Sequence, residues 1–409
     1  MTSPVPTRHR RQPARVGALQ TLAIALGIPK PTQSEWQTMG EALLIGDPPM
    51  DRLLDWMYQE GINETRPLFD TALQAGIASI PDAPQPLRDF FTRYESPPAW
   101  VDQNKLRLGE RMMRFAGRDA IYAARDVPFL SGYAVSGINR TLLLTKNGQN
   151  GQTGSAQRFA ETMRWALDVI HENGMAPRGP GYRSTLHVRL IHGFVRQHVG
   201  QLPEWSSEQW GVPVNQLDMA ATMLGALISP AIACLPMGVV LTPNELDAIA
   251  HVSRYTGWLM GIEERWLPDG FRDAVKLLYH GLTTLYEPDE TSRQLAAPMA
   301  ADPLTWHYPR AQFLRRRIAW AAHLSITSGF NGPRGMRRLG LPAYMPPWYP
   351  VLRVPINVVR TGLLRGLPGG VDRIARSGYR QQKAFLHTLV GPAANSAIGT
   401  SANYFGHAA

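Results

Sequence analysis

The sequence predicts an all-α protein, and three observations support this fold class. Apolar residues recur three and four positions apart in six long segments, which is the period of an α-helix with one buried face. Gly or Pro stands at most joints between segments, and no convincing run of alternating strand segments is present. The segments are DRLLDWMYQEG (51–61), TRPLFDTALQAGI (65–77), LRDFFTRYE (87–95), QRFAETMRWALDVIHENG (157–174), TLHVRLIHGFVRQHVG (185–200) and PNELDAIAHVSRYTGWLMGI (243–262).

The ends of these helices carry local signals. ENG at 172–174 is typical of a helix C-terminus, and TPNE at 242–245 opens a helix with a proline and a carboxylate in its first turn. We expect irregular, proline-rich stretches at 1–35 and after about 340. Polar or Gly-rich loops at 145–157 and 174–184 are either flexible connections or a lid over a site.

Composition narrows the class of protein. The chain has 409 residues, 44% hydrophobic, which is enough for a substantial core. Its formal net charge is +10, and residues 301–383 contain fourteen Lys or Arg against only Asp302 and Asp372. This charge favours an anionic partner, which leaves nucleic acid, an acidic membrane and an anionic cofactor open. The single Cys234 excludes an intramolecular disulfide, and its apolar surroundings predict a buried, unreactive side chain.

Two segments bear on membranes and export. The uncharged run at 219–244 is long enough to span a bilayer, but Pro230 and Pro236 divide it, which favours two buried helices meeting at a proline corner. Arg10 and Arg11 precede a short, broken apolar stretch without an A-x-A cleavage site. We therefore expect a basic leader and a cytoplasmic protein, with twin-arginine export as the alternative.

Several functional classes lack their motifs. The sequence has no G-x-x-x-x-G-K-[ST], no G-x-G-x-x-G after a strand, no G-x-S-x-G and no H-E-x-x-H. Nucleotide-binding, serine-hydrolase and zinc-protease functions therefore have no support. A recognisable nucleic-acid module is also missing, so we expect no nucleic-acid partner.

The helix predicted at 185–200 is unusually rich in nitrogen. Residues three and four apart share a helix face, so Arg189, His192 and Arg196 line up, while His187 and His198 point elsewhere. An imidazole between two guanidiniums should stay neutral and free to ligate. One neutral imidazole, with arginines able to meet propionates, is what a haem needs. The alternative is that His192 is an ordinary core or surface histidine.

The preceding helix adds a second group of polar residues. Arg158 and Thr162 are four apart on one face, and Glu161 lies beside them. This helix could roof the distal side of a haem, where a cation and a hydroxyl would polarise bound dioxygen and Glu161 could take or relay a proton. The alternative is a solvated face with a salt bridge.

Longer motifs carry a family likeness. RFAETMRW, VRLIHGFVR, WGVPVNQLDMAATMLGALI and YTGWLMGI, in this order and spacing, resemble the oxygenase family of bacterial latex-clearing proteins (rubber oxygenases) and the fungal mycophenolic-acid biosynthesis oxygenase. GDPPMDRLLDWMYQEG and PLFDTALQAGI are similar to its N-terminal helices. The resemblance runs from about residue 46 to 270, and more weakly to about 390.

The resemblance implies an all-helical, globin-like core that holds haem b and cleaves double bonds of polyisoprene with dioxygen. It makes His192 the proximal iron ligand, with Arg189 and Arg196 as its neighbours and Arg158 and Thr162 on the other side of the haem. We therefore expect a leader at 1–35, one helical oxygenase domain at 36–390 with the haem core at about 115–270, and a tail at 391–409.

Two positions depart from the family pattern. Glu161 stands where latex-clearing proteins can place a lysine before the threonine, so we expect no lysine-capped resting state. INRTLLLT at 138–145 offers no carboxylate at the distance of the acidic residue proposed as their base. We therefore expect a smaller apolar or isoprenoid alkene as substrate, although a polyisoprenoid stays open.

The sequence leaves three functions to compare. The first is a monomeric haem b oxygenase that uses dioxygen on an apolar substrate. The second is a non-catalytic haem carrier or gas sensor with the same ligand. The third is a basic protein without haem that contacts membrane surfaces through 310–338 and 353–383.

Overall fold

The computed structural model describes residues 5–145 and 151–391, except for the side chains of 151–155 and 390. Within these ranges the chain is helical, and its one β-bridge joins Val135 to Glu287. The all-α prediction is therefore confirmed.

The α-helices are α1 (Gly17–Ala25), α2 (Gln33–Ala42), α3 (Pro48–Glu60), α4 (Ile62–Ala75), α5 (Gln85–Glu95), α6 (Gln103–Met113), α7 (Arg118–Ala124), α8 (Ser136–Leu144), α9 (Gly151–Val169), α10 (Pro180–Gly200), α11 (Ser207–Trp210), α12 (Gln216–Leu227), α13 (Ser229–Cys234), α14 (Pro243–Leu259), α15 (Phe271–Leu285), α16 (Glu290–Ala301), α17 (Gln312–Arg338), α18 (Trp348–Asn357) and α19 (Gly370–Val390). Arg125–Leu130 and Val358–Leu363 are π-helical, and Ile77–Ser79, Glu264–Trp266, Asp302–Leu304 and Leu364–Gly366 are 3₁₀-helical.

Side-chain caps set the starts of the helices nearest the site. At α14, the Thr242 hydroxyl accepts from the Glu245 N–H, and the Glu245 carboxylate accepts from the Thr242 N–H. This is the start predicted from TPNE. At α3, Asp47 caps the helix by accepting from the Met50 N–H, and Pro48 occupies the first turn, where its missing N–H costs no hydrogen bond.

Some predicted irregular stretches are wrong. Helix α9 begins at Gly151, so the loop expected at 145–157 is helical over its second half, while 146–150 lie outside the described residues. The stretch after about 340 is mostly helical through α18 and α19. Its prolines misled the prediction: Pro347 and Pro350 lie at the start of α18, where proline is tolerated, and the helix also accommodates Pro355 in its interior.

The described part of the expected leader packs on the core. The expectation that 1–35 is irregular is wrong in part, because residues 17–25 form α1, in which Ala23 is buried against a cluster that includes Phe271 and Val275 of α15. Upstream of α1, the buried Arg8 guanidinium lies 2.7 Å from a carboxylate oxygen of Asp218 at the start of α12. The proposed tail lies outside the described residues, apart from Gly391.

Helix α10 lies in the centre of the core. It packs against α3, α4, α8, α9 and α14. Close approach to α3 requires Gly193, because a Cβ there would lie 2.5 Å from the Leu54 side chain and 2.9 Å from that of Met50. Helix α10 is therefore surrounded by other helices on several sides.

The long apolar run forms two helices, α12 and α13, as predicted. The break falls at Ile228, and Pro230 lies in the first turn of α13. Gln216–Cys234 is the one stretch of the described chain with the length and hydropathy of a membrane span, and 67% of its apolar window is buried within the protein. Cys234 is a free, buried cysteine, and burial raises the pKa of its thiol.

Candidate functional site

The candidate site is built on the pair of helices α9 and α10. They are joined by a ten-residue connection and tied by a hydrogen bond in which the Trp165 Nε1–H donates to the Thr185 hydroxyl at 3.0 Å, with both residues buried. A Cβ at Gly181 would lie 2.7 Å from the Val169 Cα, so 169 meets 181 as 165 meets 185, and the two helices are antiparallel. Each helix advances about 1.5 Å per residue. Arg158, seven residues before Trp165, therefore lies at about the level of His192, seven residues after Thr185.

His192 has an enclosed imidazole with a free nitrogen. The residue keeps some accessible surface, but its Nδ1 is buried and has no hydrogen-bond partner in the described part of the chain. The pKa of His192 is lowered to about 4, mainly by burial and also by the charge of Arg196, with Asp47 acting in the opposite direction. The ring is therefore neutral at pH 7. The sequence predicted this neutrality from two flanking arginines, whereas burial is the largest cause.

The Arg189 side chain donates four hydrogen bonds to protein groups. Its Nε and Nη2 donate to the two Asp47 carboxylate oxygens at 2.6 and 2.7 Å. Nη2 also donates to the Tyr94 hydroxyl at 2.7 Å, and Nη1 to the Leu259 carbonyl at 3.1 Å. Arg189 thus ties α10 to the start of α3, to α5 and to the end of α14.

Arg196 makes a second connection to α3. Its Nε and Nη2 donate to Oδ1 of Asp51 at 2.9 and 2.6 Å, and Nη1 donates to the Val214 carbonyl at 3.2 Å. Burial raises the pKa of Asp51, against the lowering effect of Arg196. The cofactor contact expected of Arg189 and Arg196 stays a prediction; in the structure both hold carboxylates of one helix.

The two other histidines of α10 lie away from this face, as expected. The His187 Nδ1 is 3.1 Å from Nη2 of Arg66 on α4, and Arg66 is in turn paired with Asp70. His198 is exposed near the C-terminus of α10. Of the three histidines, His192 is the one whose buried nitrogen has no partner among the described residues.

The three α9 residues make local contacts. The Thr162 hydroxyl donates to the Arg158 carbonyl at 2.9 Å, and the Glu161 carboxylate accepts from the Gln157 side-chain amide at 3.0 Å. Arg158, Glu161 and Thr162 are each partly buried. Their distal roles stay predictions.

Sequence reasoning missed the carboxylates that position α10. Asp47 and Asp51 are one turn apart at the start of α3, within the segment GDPPMD. They lie 142 and 145 residues from their arginine partners, so no local pattern connects them. The sequence signal that could have pointed to them was limited to two carboxylates four residues apart, on one face of the first turn of a helix.

A second buried polar group was also missed. The His323 Nδ1 lies 2.6 Å from Oδ2 of Asp126, and Nη1 of Arg125 lies 2.8 Å from Oδ1 of the same carboxylate. All three side chains are almost fully buried, and the His323 Nε2 has no partner within the described residues. Burial lowers the pKa of His323, against the opposing effect of Asp126.

Neither of two surface clefts lies at His192. One, of about 260 Å³, is lined by Arg293, Arg334, Arg337 and Arg338; the other, of about 440 Å³, is lined by Arg10, Ala14, Arg15, Tyr286, Pro288 and Arg338. The described side chains also contain no cluster of three or more His, Cys, Asp or Glu that could hold a metal ion.

The fold and the site define an all-helical protein whose central helix carries one enclosed, neutral histidine. The chain belongs to the oxygenase family described as "ER-bound oxygenase mpaB/B'/Rubber oxygenase, catalytic domain", which matches residues 129–362. This range includes His192 and the three polar residues of α9.

Two known proteins are similar to the chain. The rubber oxygenase of Streptomyces sp. (strain K30) is 24% identical over 204 residues, which cover 49% of this chain and 47% of the relative. The chain thus matches about half the length of that relative. The structure of latex clearing protein LCP in the closed state has a TM-score of 0.64 and 17% identity, covering 84% of this chain and 91% of that one. This likeness shows a shared helical fold.

Proposed function

We propose that the protein is a haem b-dependent oxygenase that uses dioxygen on an apolar alkene, with isoprenoids as the first class to test. The observation that carries the proposal is His192, a neutral imidazole enclosed in the core with its Nδ1 unpartnered among the described residues. A buried nitrogen without a hydrogen bond is costly unless it serves another purpose. Membership of the oxygenase family supports the reaction class.

The residues around His192 fit a haem with one protein ligand. When bound, haem b supplies a redox-active iron that activates dioxygen. The His192 imidazole would hold that iron. At pH 7 the ring carries one proton rather than two, which leaves the lone pair of the other ring nitrogen available. Arg189 and Arg196, through Asp47 and Asp51, would fix the orientation of α10 and therefore the position of the imidazole.

The α9 residues would act on the reacting groups. Arg158 lies at about the level of His192, so its guanidinium can stabilise negative charge that develops on oxygen. The Thr162 hydroxyl currently donates to the Arg158 carbonyl and would have to rotate to donate elsewhere. Glu161 would take or relay a proton, and its hydrogen bond from Gln157 holds it in place.

An absorption spectrum of the purified protein tests the cofactor. After reconstitution with haem, we expect a Soret band that shifts when the reduced protein binds carbon monoxide. His192→Ala should lower haem affinity by at least about tenfold, while the matched variant His198→Ala, at an exposed position of the same helix, should retain haem. Full haem occupancy in His192→Ala would remove this residue from the proximal role.

Oxygen uptake with an isoprenoid alkene tests catalysis separately. Arg158→Gln should lower kcat about 10²-fold while the Soret band stays unchanged, because the loss concerns charge stabilisation. A haem-loaded protein that consumes no dioxygen with any apolar alkene would favour the carrier or gas-sensor function. If the protein shows no Soret band after reconstitution with haem, both haem functions are refuted.

A further inference from the structure

The helical segment that follows α17 exposes many of its apolar side chains and buries polar ones. Residues 348–366 run through α18, the π-helical turn Val358–Leu363 and the 3₁₀ turn Leu364–Gly366. Apolar side chains along this segment point to solvent and are 48–69% exposed: Val351, Leu352, Ile356, Val359, Leu363 and Leu367. A contiguous apolar face of this kind on a folded protein marks an interaction surface.

The inner face of the same segment is polar. Tyr349, Arg353 and Asn357, spaced four apart, each donate a hydrogen bond of 2.8 Å to the fully buried Asp119 carboxylate. Thr361, four residues further on, is buried and accepts from the Val240 N–H at 2.9 Å. These contacts hold the helix in place, so the outward position of its apolar face is a built feature of the fold.

The chemistry around this face is cationic. No Asp or Glu occurs between Asp302 and Asp372, a stretch that contains ten arginines. Two of these arginines are neutralised, Arg353 by Asp119 and Arg365 by Glu245, so the free charge beside the face comes from α19, which contacts both the π-helical and the 3₁₀ turn of the segment. Helix α19, which follows directly, exposes Arg373, Arg376 and Arg380, while its carboxylate Asp372 lies 3.0 Å from Arg111. An apolar face bordered by exposed cations matches the surface of a membrane with anionic lipids.

The start of α17 repeats this pattern. Phe313, Leu314 and Ile318 are 75%, 59% and 52% exposed, and Arg315 and Arg317 stand exposed between them. The Arg317 guanidinium lies 5.4 Å from the centre of the Phe313 ring. Apolar side chains next to guanidiniums suit the boundary between acyl chains and headgroups.

We propose that the outward face of residues 348–367, with the exposed arginines of α19 at its border, docks the protein on an anionic lipid membrane. A second copy of the chain suits the face less well. In a symmetric dimer the same patch meets itself, which would bring the two sets of arginines together. The proposal is independent of the cofactor at His192.

Flotation of the full chain with lipid vesicles tests the proposal. We expect strong binding to phosphatidylcholine vesicles that contain phosphatidylserine, weaker binding to phosphatidylcholine alone, and weakening with added salt. The triple variant Leu352→Gln, Ile356→Gln and Leu363→Gln should lower the partition coefficient at least about tenfold, because three apolar side chains leave the acyl region. Its side chains face water in the free protein, so far-UV circular dichroism should show an unchanged fold.

Two controls separate the apolar and charged contributions. Ile24→Gln changes a side chain that is 70% exposed on α1, and it should leave vesicle binding unchanged. Arg373→Gln with Arg376→Gln should reduce binding to the acidic vesicles about tenfold and affect binding to phosphatidylcholine little.

Three outcomes would overturn the proposal. The first is that the full chain floats with neither kind of vesicle. The second is that the triple variant floats as the unmodified protein does. The third is a concentration-dependent dimer in sedimentation velocity that the triple variant abolishes, without vesicle binding, which would make the face an interface between copies.

Discussion

Arg189 and Asp47 form a two-point ion pair inside the core. The Nε–Oδ2 and Nη2–Oδ1 distances are 2.6 and 2.7 Å, and each side chain is 1% exposed. The pair joins the centre of α10 to the first residue before α3, one turn from His192. Its integrity therefore controls both stability and the position of the candidate ligand.

Breaking this pair should strongly destabilise the fold. Asp47→Asn leaves the Arg189 charge buried with a neutral partner, so we expect the free energy of unfolding to fall by about 3–5 kcal/mol in urea titrations. Glu290→Gln, which removes the partner of exposed Arg293, is the matched control and should cost less than about 1 kcal/mol. The double variant Asp47→Leu and Arg189→Met should lose less than Asp47→Asn, since no unpaired charge remains. If Asp47→Asn and Glu290→Gln lowered the free energy of unfolding by the same amount, this role of the ion pair would be contradicted.

The contact of α6 with α14 should depend on Gly109. A Cβ at position 109 would lie against the Ala248 carbonyl and 2.6 Å from the Val252 side chain. We expect Gly109→Ala to lower the free energy of unfolding by about 1–3 kcal/mol. Gly132→Ala is the control, because its Cβ would meet no atom within 4 Å, and its effect should stay within about 1 kcal/mol. If Gly109→Ala and Gly132→Ala had similar free energies of unfolding, α6 and α14 could move apart without loss of stability.

The segment before α1 should be held down by Arg8. Its guanidinium lies 2.7 Å from Asp218, and both side chains are buried. Arg8→Ala should therefore let the segment open more often and raise the rate of tryptic cleavage after the exposed Arg11 and Arg15 by at least about tenfold. Arg52→Ala, at an exposed position of α3, should leave the rate unchanged. An unchanged rate in Arg8→Ala would show that other contacts retain the segment.

Stability should fall with acid because of His323. Burial lowers the pKa of this imidazole, and Arg125 already compensates the charge of its neighbour Asp126. Below about pH 6.5 His323 is protonated in the unfolded chain but still neutral in the folded protein. The free energy of unfolding therefore decreases as the pH falls from about 6.5 towards the lowered pKa of His323 in the fold. His323→Gln should reduce this slope by up to about 1.4 kcal/mol per pH unit.

The other histidines contribute to the slope with the same sign, whereas Asp51, Glu110 and Asp168, whose pKa values burial raises, contribute with the opposite sign. The pKa values of His9, His192, His251 and His280 are also lowered, in each case mainly by burial. Identical slopes in His323→Gln and the unmodified protein would mean that His323 is protonated in the fold.

Much of the helical architecture could be predicted because its signals are local. The 3.6-residue apolar period identified α3, α4, α5, α9, α10 and α14, and TPNE identified the start of α14. Helix geometry alone placed Arg189, His192 and Arg196 along one side of α10. The start of α9 and the helices after 340 were missed, since Gly-rich and Pro-rich stretches also occur at helix starts.

The sequence by itself determined six of the helices, where polar residues line up on them and that the C-terminal third is basic. The tertiary structure decided what these residues contact. Asp47 reaches Arg189 across 142 residues, and nothing in either segment encodes that pairing. Likewise, residues 348–367 were expected to be irregular, and in the structure their contacts with the buried Asp119 make the polar side of the helix the inner one. The reason is physical: periodicity is a property of the local backbone, whereas partner choice depends on which distant groups folding brings within hydrogen-bond range.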